Sequence, residues 1–325
     1  MSTLTGNSDA ARHRDYSGLL FAGIFRSPAY KAVAEVLLAT RRRRALLLLL
    51  PAAIFILVLN VGPLASMVRI SFLSSYPPSV GVEPTWTIGN YVLFTSSHIF
   101  LVPFWRSIVF STFVTILALV TMYPTAYFLA KLVPEQKRLR LILLLLIPFW
   151  AGELIRAFAI VVLLGGQGAL NRLMMMIGIT SSPLPMLYTP FSLMWGMVYI
   201  SVLFMFFPLY SAIEKIPRSV LEAASDLGAG KLQRFLRVTL PLSREGITAG
   251  CTLVFLISMG AYVVPILIGG TNVTLFSETV ASFFHEANDK WPIGAAFGVI
   301  MLLASLVIVG VFNAIMNSGG RKARP

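Results

Sequence analysis

Six apolar runs, each 20 to 24 residues long, constrain the fold of this chain more than any other feature. A helix needs about 20 mostly apolar residues to cross a bilayer, and these runs are too long for ordinary strands. The chain is also 57% hydrophobic and 12% charged, whereas soluble domains are about 25% charged. The sequence therefore predicts an all-α integral membrane protein with these spans: Ala45–Val68, Ser107–Ala130, Leu141–Leu164, Phe191–Tyr210, Gly246–Ile268 and Gly294–Met316.

The first run follows Arg41–Arg44 and in that respect looks like a signal peptide. A signal peptide has an apolar core of about 7–15 residues near the N-terminus. This run is longer, and about forty residues precede it. We therefore expect a retained membrane span.

Lysine and arginine are distributed unequally between the two sets of connections. Of 26 such residues, 21 lie before the first run, after the sixth, or between runs two and three and runs four and five. The other connections hold four, and Arg156 lies inside the third run. Because cytoplasmic loops are enriched in Lys and Arg, both termini are predicted to be cytoplasmic. The clustering also explains the net charge of +13 without a nucleic-acid partner, which would need a continuous basic face.

This topology divides the chain into three regions. Residues 1–44 form a cytoplasmic tail in which Ser27-Pro28 starts a short amphipathic surface helix, Pro28–Thr40. Residues 45–316 form the six-span domain, and residues 317–325 form a second cytoplasmic tail.

The tryptophans and the single cysteine fit the same topology. Four tryptophans lie near predicted span ends, where amphipathic rings favour the membrane interface, although ligand contact is an alternative role. They are Trp86, Trp105, Trp150 and Trp291. Cys251 allows no intramolecular disulfide and is expected to pack between helices.

The longest cytoplasmic connection between spans, Ser211–Glu245, has the pattern of two helices joined by glycines. Pro217 can open the first helix, Gly228 and Gly230 are typical of a helix end, and Pro241 is expected to end the second helix. The apolar face of the first helix consists of Leu221, Ala224 and Leu227–Gly228, at three- to four-residue spacing. The loop is thus predicted to be a rigid surface element that presents a carboxylate, Glu222, to a partner.

The same loop resembles the EAA loop of binding-protein-dependent ABC permeases. That family's pattern is Glu-Ala-Ala, three residues, Gly, nine residues, Ile, one residue and Leu-Pro. Val238 stands in place of Ile, and the matching positions are Glu222, Ala223, Ala224, Gly228, Leu240 and Pro241. The resemblance implies a six-helix type I ABC importer permease with the MetI-like fold.

In that family the Glu-Ala-Ala helix docks in a groove of a separate ATPase dimer, and ATP-driven closure of the dimer moves the permease. The resemblance assigns this coupling to Glu222, Ala223, Ala224, Leu227, Gly228, Leu240 and Pro241. Gly228-Ala229-Gly230-Lys231 lacks the leading Gly and the following Ser or Thr of a phosphate-binding loop. We therefore expect no cofactor and no ATP hydrolysis in this chain, with ATP and Mg²⁺ held by the partner subunits.

Several short sequence segments resemble the spermidine/putrescine permease subfamily. Within it, they resemble the first of the two permease subunits of one importer. They are Pro148–Trp150, Leu154–Phe158, Gly165–Asn171, Pro208–Lys215 and Trp291–Ala296. The resemblance implies membrane lipid, a second and different permease subunit and a periplasmic binding protein as partners. The implied solute is a polyamine, with an opine or amino-acid-like solute as the alternative.

The candidate residues of the solute pathway are ionisable or aromatic. Glu153 and Arg156 lie in the third run, where an ionisable residue is a functional candidate and where the two can pair with each other at i, i+3 spacing. A structural ion pair or snorkelling to the interface is the alternative role. The others precede the sixth run: Glu278, Glu286, Asp289 and Trp291. These can attract a cation or contact the binding protein, and a solvated loop is the alternative. The three histidines and Cys251 form no metal-ligand cluster.

A secondary transporter and an integral-membrane enzyme are the alternative classes. A secondary transporter needs ionisable residues at midspan for ion coupling, and a membrane enzyme needs a His, Asp or Cys cluster at the span ends. Neither class explains the match over Glu222–Pro241.

Overall fold

The computed structural model describes residues 41–78, 83–270, 273–285 and 290–321. Within these ranges every element longer than an isolated bridge is helical, which confirms the predicted all-α class. The predicted surface helix Pro28–Thr40 and the candidates Glu286 and Asp289 lie outside the described residues.

Fourteen α-helices are described, and the first two lead into or belong to the first apolar run. The helices are α1 (Arg41–Ile56), α2 (Gly62–Ser71), α3 (Gly89–Ser96), α4 (His98–Tyr127), α5 (Glu135–Trp150), α6 (Glu153–Leu164), α7 (Ala169–Met176), α8 (Pro190–Glu214), α9 (Arg218–Asp226), α10 (Lys231–Arg234), α11 (Leu240–Leu242), α12 (Arg244–Gly260), α13 (Phe276–His285) and α14 (Trp291–Arg321). Four π-helical turns complete them: Leu57–Val61, Phe128–Leu132, Phe235–Thr239 and Pro265–Gly269.

The chain divides into two compact units, Met1–Ser66 and Met67–Pro325. In the described part of the first unit, helix α1 runs into a π-helical turn, and the side chains described there are exposed. In the second unit, α4, α8 and α12 pack against one another and form the core. Cys251 on α12 is buried in that core, as predicted.

Small residues set the distance between α8 and α12. A Cβ atom at Gly246 would lie 2.5 Å from the Cβ of Ala212 and 2.5 Å from the carbonyl oxygen of Pro208. Real carbon atoms do not approach so closely, so only glycine permits this contact between the two backbones. The close packing fixes α12 against the helix that leads into the loop 215–243.

A second, aromatic cluster holds α13 against α4 and α14. Phe94, Phe104, Phe276 and Phe297 are buried, and their rings meet mainly edge to face at 5.2–5.7 Å between centroids. Ser107 on α4 accepts a hydrogen bond from the backbone N–H of Phe276 at 2.8 Å. The short helix α13 is therefore fixed at both its side chains and its first backbone donor.

Five helices are long and apolar enough to cross a membrane: Leu49–Ser71, His98–Leu132, Glu153–Met176, Pro190–Glu214 and Trp291–Met316. A sixth results if Lys231–Leu242 and Arg244–Gly260, bent by 66° at Ser243, are one span. The described helices thus give the predicted six spans if the bent pair counts as one, but two of the predicted spans are interrupted.

The predicted continuous span Leu141–Leu164 is wrong. The chain leaves the helix at Ala151 and Gly152, where ψ is 128° and 158°, so α5 and α6 are separate helices. The break falls at Gly152, and glycine is a poor helix former; Pro148 lies inside α5, two residues before its end. Hydrophobicity alone did not show this break because both sides of it are apolar.

The predicted span Gly246–Ile268 is also interrupted. Helix α12 ends at Gly260, Ala261 is extended with ψ 129°, and a π-helical turn starts at Pro265. Because Pro265 has no N–H, it cannot donate to the carbonyl of Ala261. The hydroxyl of Ser277 donates to that carbonyl instead, so the break is stabilised by α13.

Candidate coupling loop and solute pathway

Helix α9 carries the Glu-Ala-Ala sequence on an exposed surface. Leu221 and Ala224 are half-buried, as the predicted apolar face requires, while Glu222 and Ala223 are exposed. Leu227 departs from the prediction because its side chain is 89% exposed. Leu227 is the C-cap residue with ψ 9°, so the chain turns there and directs the side chain away from the packed face.

Gly228 ends α9 in a Schellman motif. Its φ is +80°, its N–H donates to the Ser225 carbonyl at 2.8 Å, and the N–H of Ala229 donates to the Ala224 carbonyl at 3.0 Å. This pattern satisfies the last carbonyls of the helix and requires a left-handed residue. The predicted helix end at Gly228 is correct.

The second helical segment, Lys231–Leu242, packs against the end of α4. The Phe235 ring meets the Tyr123 ring edge to face at 5.4 Å, and the Tyr123 hydroxyl is 2.7 Å from the buried Ser243 hydroxyl. The segment ends at Leu242, one residue after the predicted Pro241, which lies in the first turn of α11. Leu240 is half-buried and contributes to this packing.

A side-chain contact joins the two helices of the loop. The guanidinium of Arg234 donates to the Ser225 hydroxyl on α9, and the N–H of Gly230 donates to Gln233 Oε1 at 3.2 Å. The two helices are therefore held to each other by a side-chain hydrogen bond as well as by a short connection.

A polar cluster, which we call the Glu214 clamp, fixes the loop to the end of α4. The clamp consists of Lys131, Arg138, Tyr210 and Glu214. Lys131 Nζ donates to the carbonyls of Ile216 at 2.6 Å and Glu214 at 3.3 Å, and the Tyr210 hydroxyl donates to Glu214 Oε1 at 2.7 Å. Sequence reasoning missed this cluster because Lys131 and Arg138 were counted only as topology signals.

Glu222 faces a basic cavity of about 800 Å³ between α9, α10 and the end of α4. Four cations line this cavity: Lys131, Arg218, Lys231 and Arg234. Within the described residues Glu222 forms neither an ion pair nor a side-chain hydrogen bond. Its carboxylate is therefore free to meet a basic group on another chain.

The predicted ion pair between Glu153 and Arg156 is wrong. Arg156 is buried, its Nη1 donates to the Ile200 carbonyl at 3.2 Å, and its guanidinium lies 4.9 Å from the Phe149 ring centroid. Glu153 is the first residue of α6 and is exposed. The helical spacing permits the pair, but Arg156 points into the bundle toward α8, while Glu153 points outward.

The remaining pathway candidates lie around α13. Glu278 and Trp291, the first residue of α14, are both half-buried, and the Trp291 ring lies 5.8 Å from that of Tyr76 and 5.9 Å from that of Phe284. Trp291 therefore belongs to an aromatic group with Tyr76 and Phe284, whereas Glu278 lines a cavity whose described lining does not include Trp291.

The apolar spans and the exposed loop of two helices define a class, the membrane-embedded subunits of transport systems. The family model for the inner membrane component of binding-protein-dependent transport systems matches residues 87–321. The chain belongs to this family, and it is a multi-pass inner-membrane transport permease and not an enzyme.

Two relatives share much of the sequence. The spermidine/putrescine transport system permease protein PotB of Haemophilus influenzae is 40% identical over 258 residues, which cover 78% of this chain and 87% of that protein. PotB of Escherichia coli K12 is 37% identical over 250 residues, which cover 77% and 90%.

Solved structures show the same fold. A crystal structure of a bacterial ABC transporter involved in the import of alginate has a chain with TM-score 0.62 and 20% identity, covering 85% of this chain and 96% of that one. The alginate transporter in complex with an alginate-bound periplasmic protein gives TM-score 0.66 and 19% identity, covering 84% and 94%.

Proposed function

We propose that this chain is the membrane-spanning subunit of an ATP-driven importer whose energy comes from a separate ATPase dimer that binds α9. The observation that carries the proposal is the surface of α9, where Leu227 is 89% exposed and Glu222 has no partner within the described residues. An exposed apolar residue at the end of the helix that carries an unpaired carboxylate fits a helix-in-groove contact. ATP and Mg²⁺ are bound by the ATPase subunits.

The proposed orientation places the Glu214 clamp and α9 in the cytoplasm, together with both termini. The excess of Lys and Arg in these connections supports this orientation. The three regions 1–44, 45–316 and 317–325 are then a cytoplasmic tail, the permease domain and a second cytoplasmic tail.

The proposed solute is a polyamine, spermidine or putrescine, received from an extracytoplasmic binding protein. The proposal is supported by relatives named as spermidine/putrescine permeases at 37–40% identity. An opine or amino-acid-like solute carried by the same machinery is the second candidate, because such solutes share the ammonium group. The complete assembly contains a second, different permease subunit.

The test is reconstitution of the assembly in proteoliposomes. Neighbouring genes are expected to encode the ATPase, the second permease and the binding protein, and all four chains are purified together. We expect uptake of radiolabelled putrescine or spermidine that requires ATP on the ATPase side and the binding protein on the other. Uptake by this chain without the ATPase would overturn the energy source, and import of an opine with no polyamine import would overturn the solute.

A further inference from the structure

A cavity of about 320 Å³ lies beside α13, at the end of the bundle opposite the loop of α9. Its size is at the lower end of the range of about 300–1,000 Å³ for small-molecule sites. Its polar and aromatic walls come from the break after α12, the segment before α13 and one face of α13. The side chains that form these walls are Tyr262, Thr274, Glu278, Thr279, Ser282 and His285.

Glu278 is a half-buried carboxylate without a counter-ion in the described part of the chain. Its Oε1 accepts a hydrogen bond from the Leu275 N–H at 3.1 Å. Arg106 donates to the Thr274 carbonyl at 3.4 Å and forms no ion pair with Glu278. Burial raises the pKa of Glu278, because the charged form has lost part of its hydration. A bound cation would compensate for that loss.

An aromatic wall faces the same cavity. The Tyr262 and His285 rings are stacked at 6.3 Å between centroids, with 23° between their planes. The face of an aromatic ring attracts an ammonium group, and the apolar side chain of Ile266 also lines the cavity. The walls thus combine a carboxylate, hydroxyls, a π face and one alkyl surface, which suits an ammonium group on a methylene chain.

Tyr262 reaches this position because its span is broken. Ala261 and Tyr262 lie between the end of α12 at Gly260 and the turn that starts at Pro265. Non-helical backbone at membrane depth is tolerated where it is buried in protein or lines a water-filled cavity, and broken helices form the substrate sites of other transporters. The polar cavity therefore explains why the backbone can leave the helical conformation at Ala261 and Tyr262.

We propose that Glu278 and Tyr262, with the hydroxyls of Thr279 and Ser282, form a subsite for one ammonium group of the transported solute. The inference rests on the proposed polyamine function and adds a specificity-determining site to it. In this subsite the carboxylate compensates the positive charge, the Tyr262 ring covers it, and Ile266 contacts the adjacent methylenes.

A capping role for Glu278 must be separated from this binding role. Glu278 is the third residue of α13 and bonds back to the backbone N–H of Leu275, as in half of a capping box. Glutamine at that position makes the same bond. Glu278→Gln therefore keeps the helix cap and removes only the charge, whereas Glu83→Gln at an exposed position serves as the matched control.

The experiment compares assemblies of the full set of subunits that differ only in this chain, each supplied with the same binding protein. Uptake of putrescine and of N-acetylputrescine, in which one amine is neutral, is measured in proteoliposomes at saturating binding protein. We expect Glu278→Gln to reduce putrescine uptake about ten-fold, the usual effect of losing one hydrogen bond to a charged group. The variant should also have a smaller preference for putrescine over its acetylated form. Because the binding protein is unchanged, a change in preference arises in the permease.

Two variants of Tyr262 and a measurement of the ATPase rate distinguish a binding defect from a folding defect. The ATPase rate stimulated by the loaded binding protein should stay at the wild-type level in Glu278→Gln. Tyr262→Phe should retain uptake because it keeps the aromatic face, and Tyr262→Leu should lose it. Equal putrescine uptake and equal preference in wild type, Glu278→Gln and Glu83→Gln would overturn the subsite alone. Failure of the wild-type assembly to import any polyamine would overturn the proposed function and the subsite with it.

Discussion

Arg138 and Glu214 form an ion pair across the end of the bundle, with Nη1 3.0 Å from Oε1. Arg138 also donates through Nη2 to the Ala130 carbonyl at 3.1 Å, so one guanidinium joins the last residue of α8 to the turn after α4. The Arg138 side chain is 12% exposed and that of Glu214 44%. Arg138 therefore connects the end of α8, just before the loop that carries α9, to the end of α4.

We expect Glu214→Gln to lower the number of solute molecules imported per ATP hydrolysed while the assembly stays intact. The glutamine can still accept from Tyr210, but it loses the ion pair with Arg138. A half-exposed pair contributes only about 0.2–1 kcal/mol to stability, so unfolding should change little. The ratio of uptake to phosphate release measures the effect, and Glu135→Gln, an exposed residue at the start of α5, is the control. An unchanged ratio would show that the clamp has only a structural role.

Gly228→Ala should weaken ATPase association. The residue has φ +80° and a Cβ there would meet no atom within 4 Å, so the penalty comes from the backbone alone, about 1–2 kcal/mol. Gly230 also has open space for a Cβ but lies at φ −64°, which makes Gly230→Ala the matched control. Co-purification of the ATPase with each variant is measured, and equal yields would contradict a role for the Schellman end.

Glu222→Lys should abolish ATPase co-purification and uptake, because it adds a fifth cation to a cavity already lined by four. Glu222→Gln should have a smaller effect, since it removes the attraction without adding repulsion. Glu83→Lys changes the net charge by the same amount at an exposed position that does not line this cavity and should behave like wild type. Association of the Glu222→Lys chain with the ATPase at the wild-type level would exclude Glu222 from the contact.

Gly246→Ala should destabilise the fold by about 1–3 kcal/mol, the usual effect of overpacking. The new methyl group would lie 2.5 Å from the Pro208 carbonyl oxygen, so α8 and α12 must separate. Gly310→Ala on α14 meets no atom within 4 Å and should be neutral or stabilising, because alanine favours a helix by about 1 kcal/mol over glycine. Thermal unfolding of the purified chain in detergent measures both. A Gly246→Ala chain that unfolds at the wild-type temperature would contradict the close packing.

Polyamine uptake should fall as the pH of the extracytoplasmic side decreases. Burial raises the pKa of Glu278, so this carboxylate takes up a proton at a higher pH than an ordinary glutamate and then no longer attracts an ammonium. The solute keeps its charge, since an alkyl amine has a pKa of about 10. Tyr262, His285 and Arg106 face the same region. The KM for uptake, measured from pH 8 to pH 5, should rise in wild type and rise less in Glu278→Gln; parallel curves would exclude Glu278 as the titrating group.

The sequence by itself determined the all-α class, the number of spans and the helix–glycine–helix loop. Each of these depends on local information: the length of an apolar run, the asymmetry of Lys and Arg, and a glycine at the one position in Glu222–Pro241 where φ is positive. Such features can be predicted because they concern the chain's own backbone and its contact with lipid or water.

Tertiary structure alone decided which polar groups meet. Arg156 binds the Ile200 carbonyl and not Glu153, and Lys131 binds carbonyls more than eighty residues away in the chain. Tyr262, at a break in its span, lines the same cavity as Glu278. Periodicity could not predict these contacts, because the direction of a side chain around a helix depends on the neighbours against which the helix packs. The same loop of α9 that the sequence identified is therefore fixed in place by residues that no motif contains.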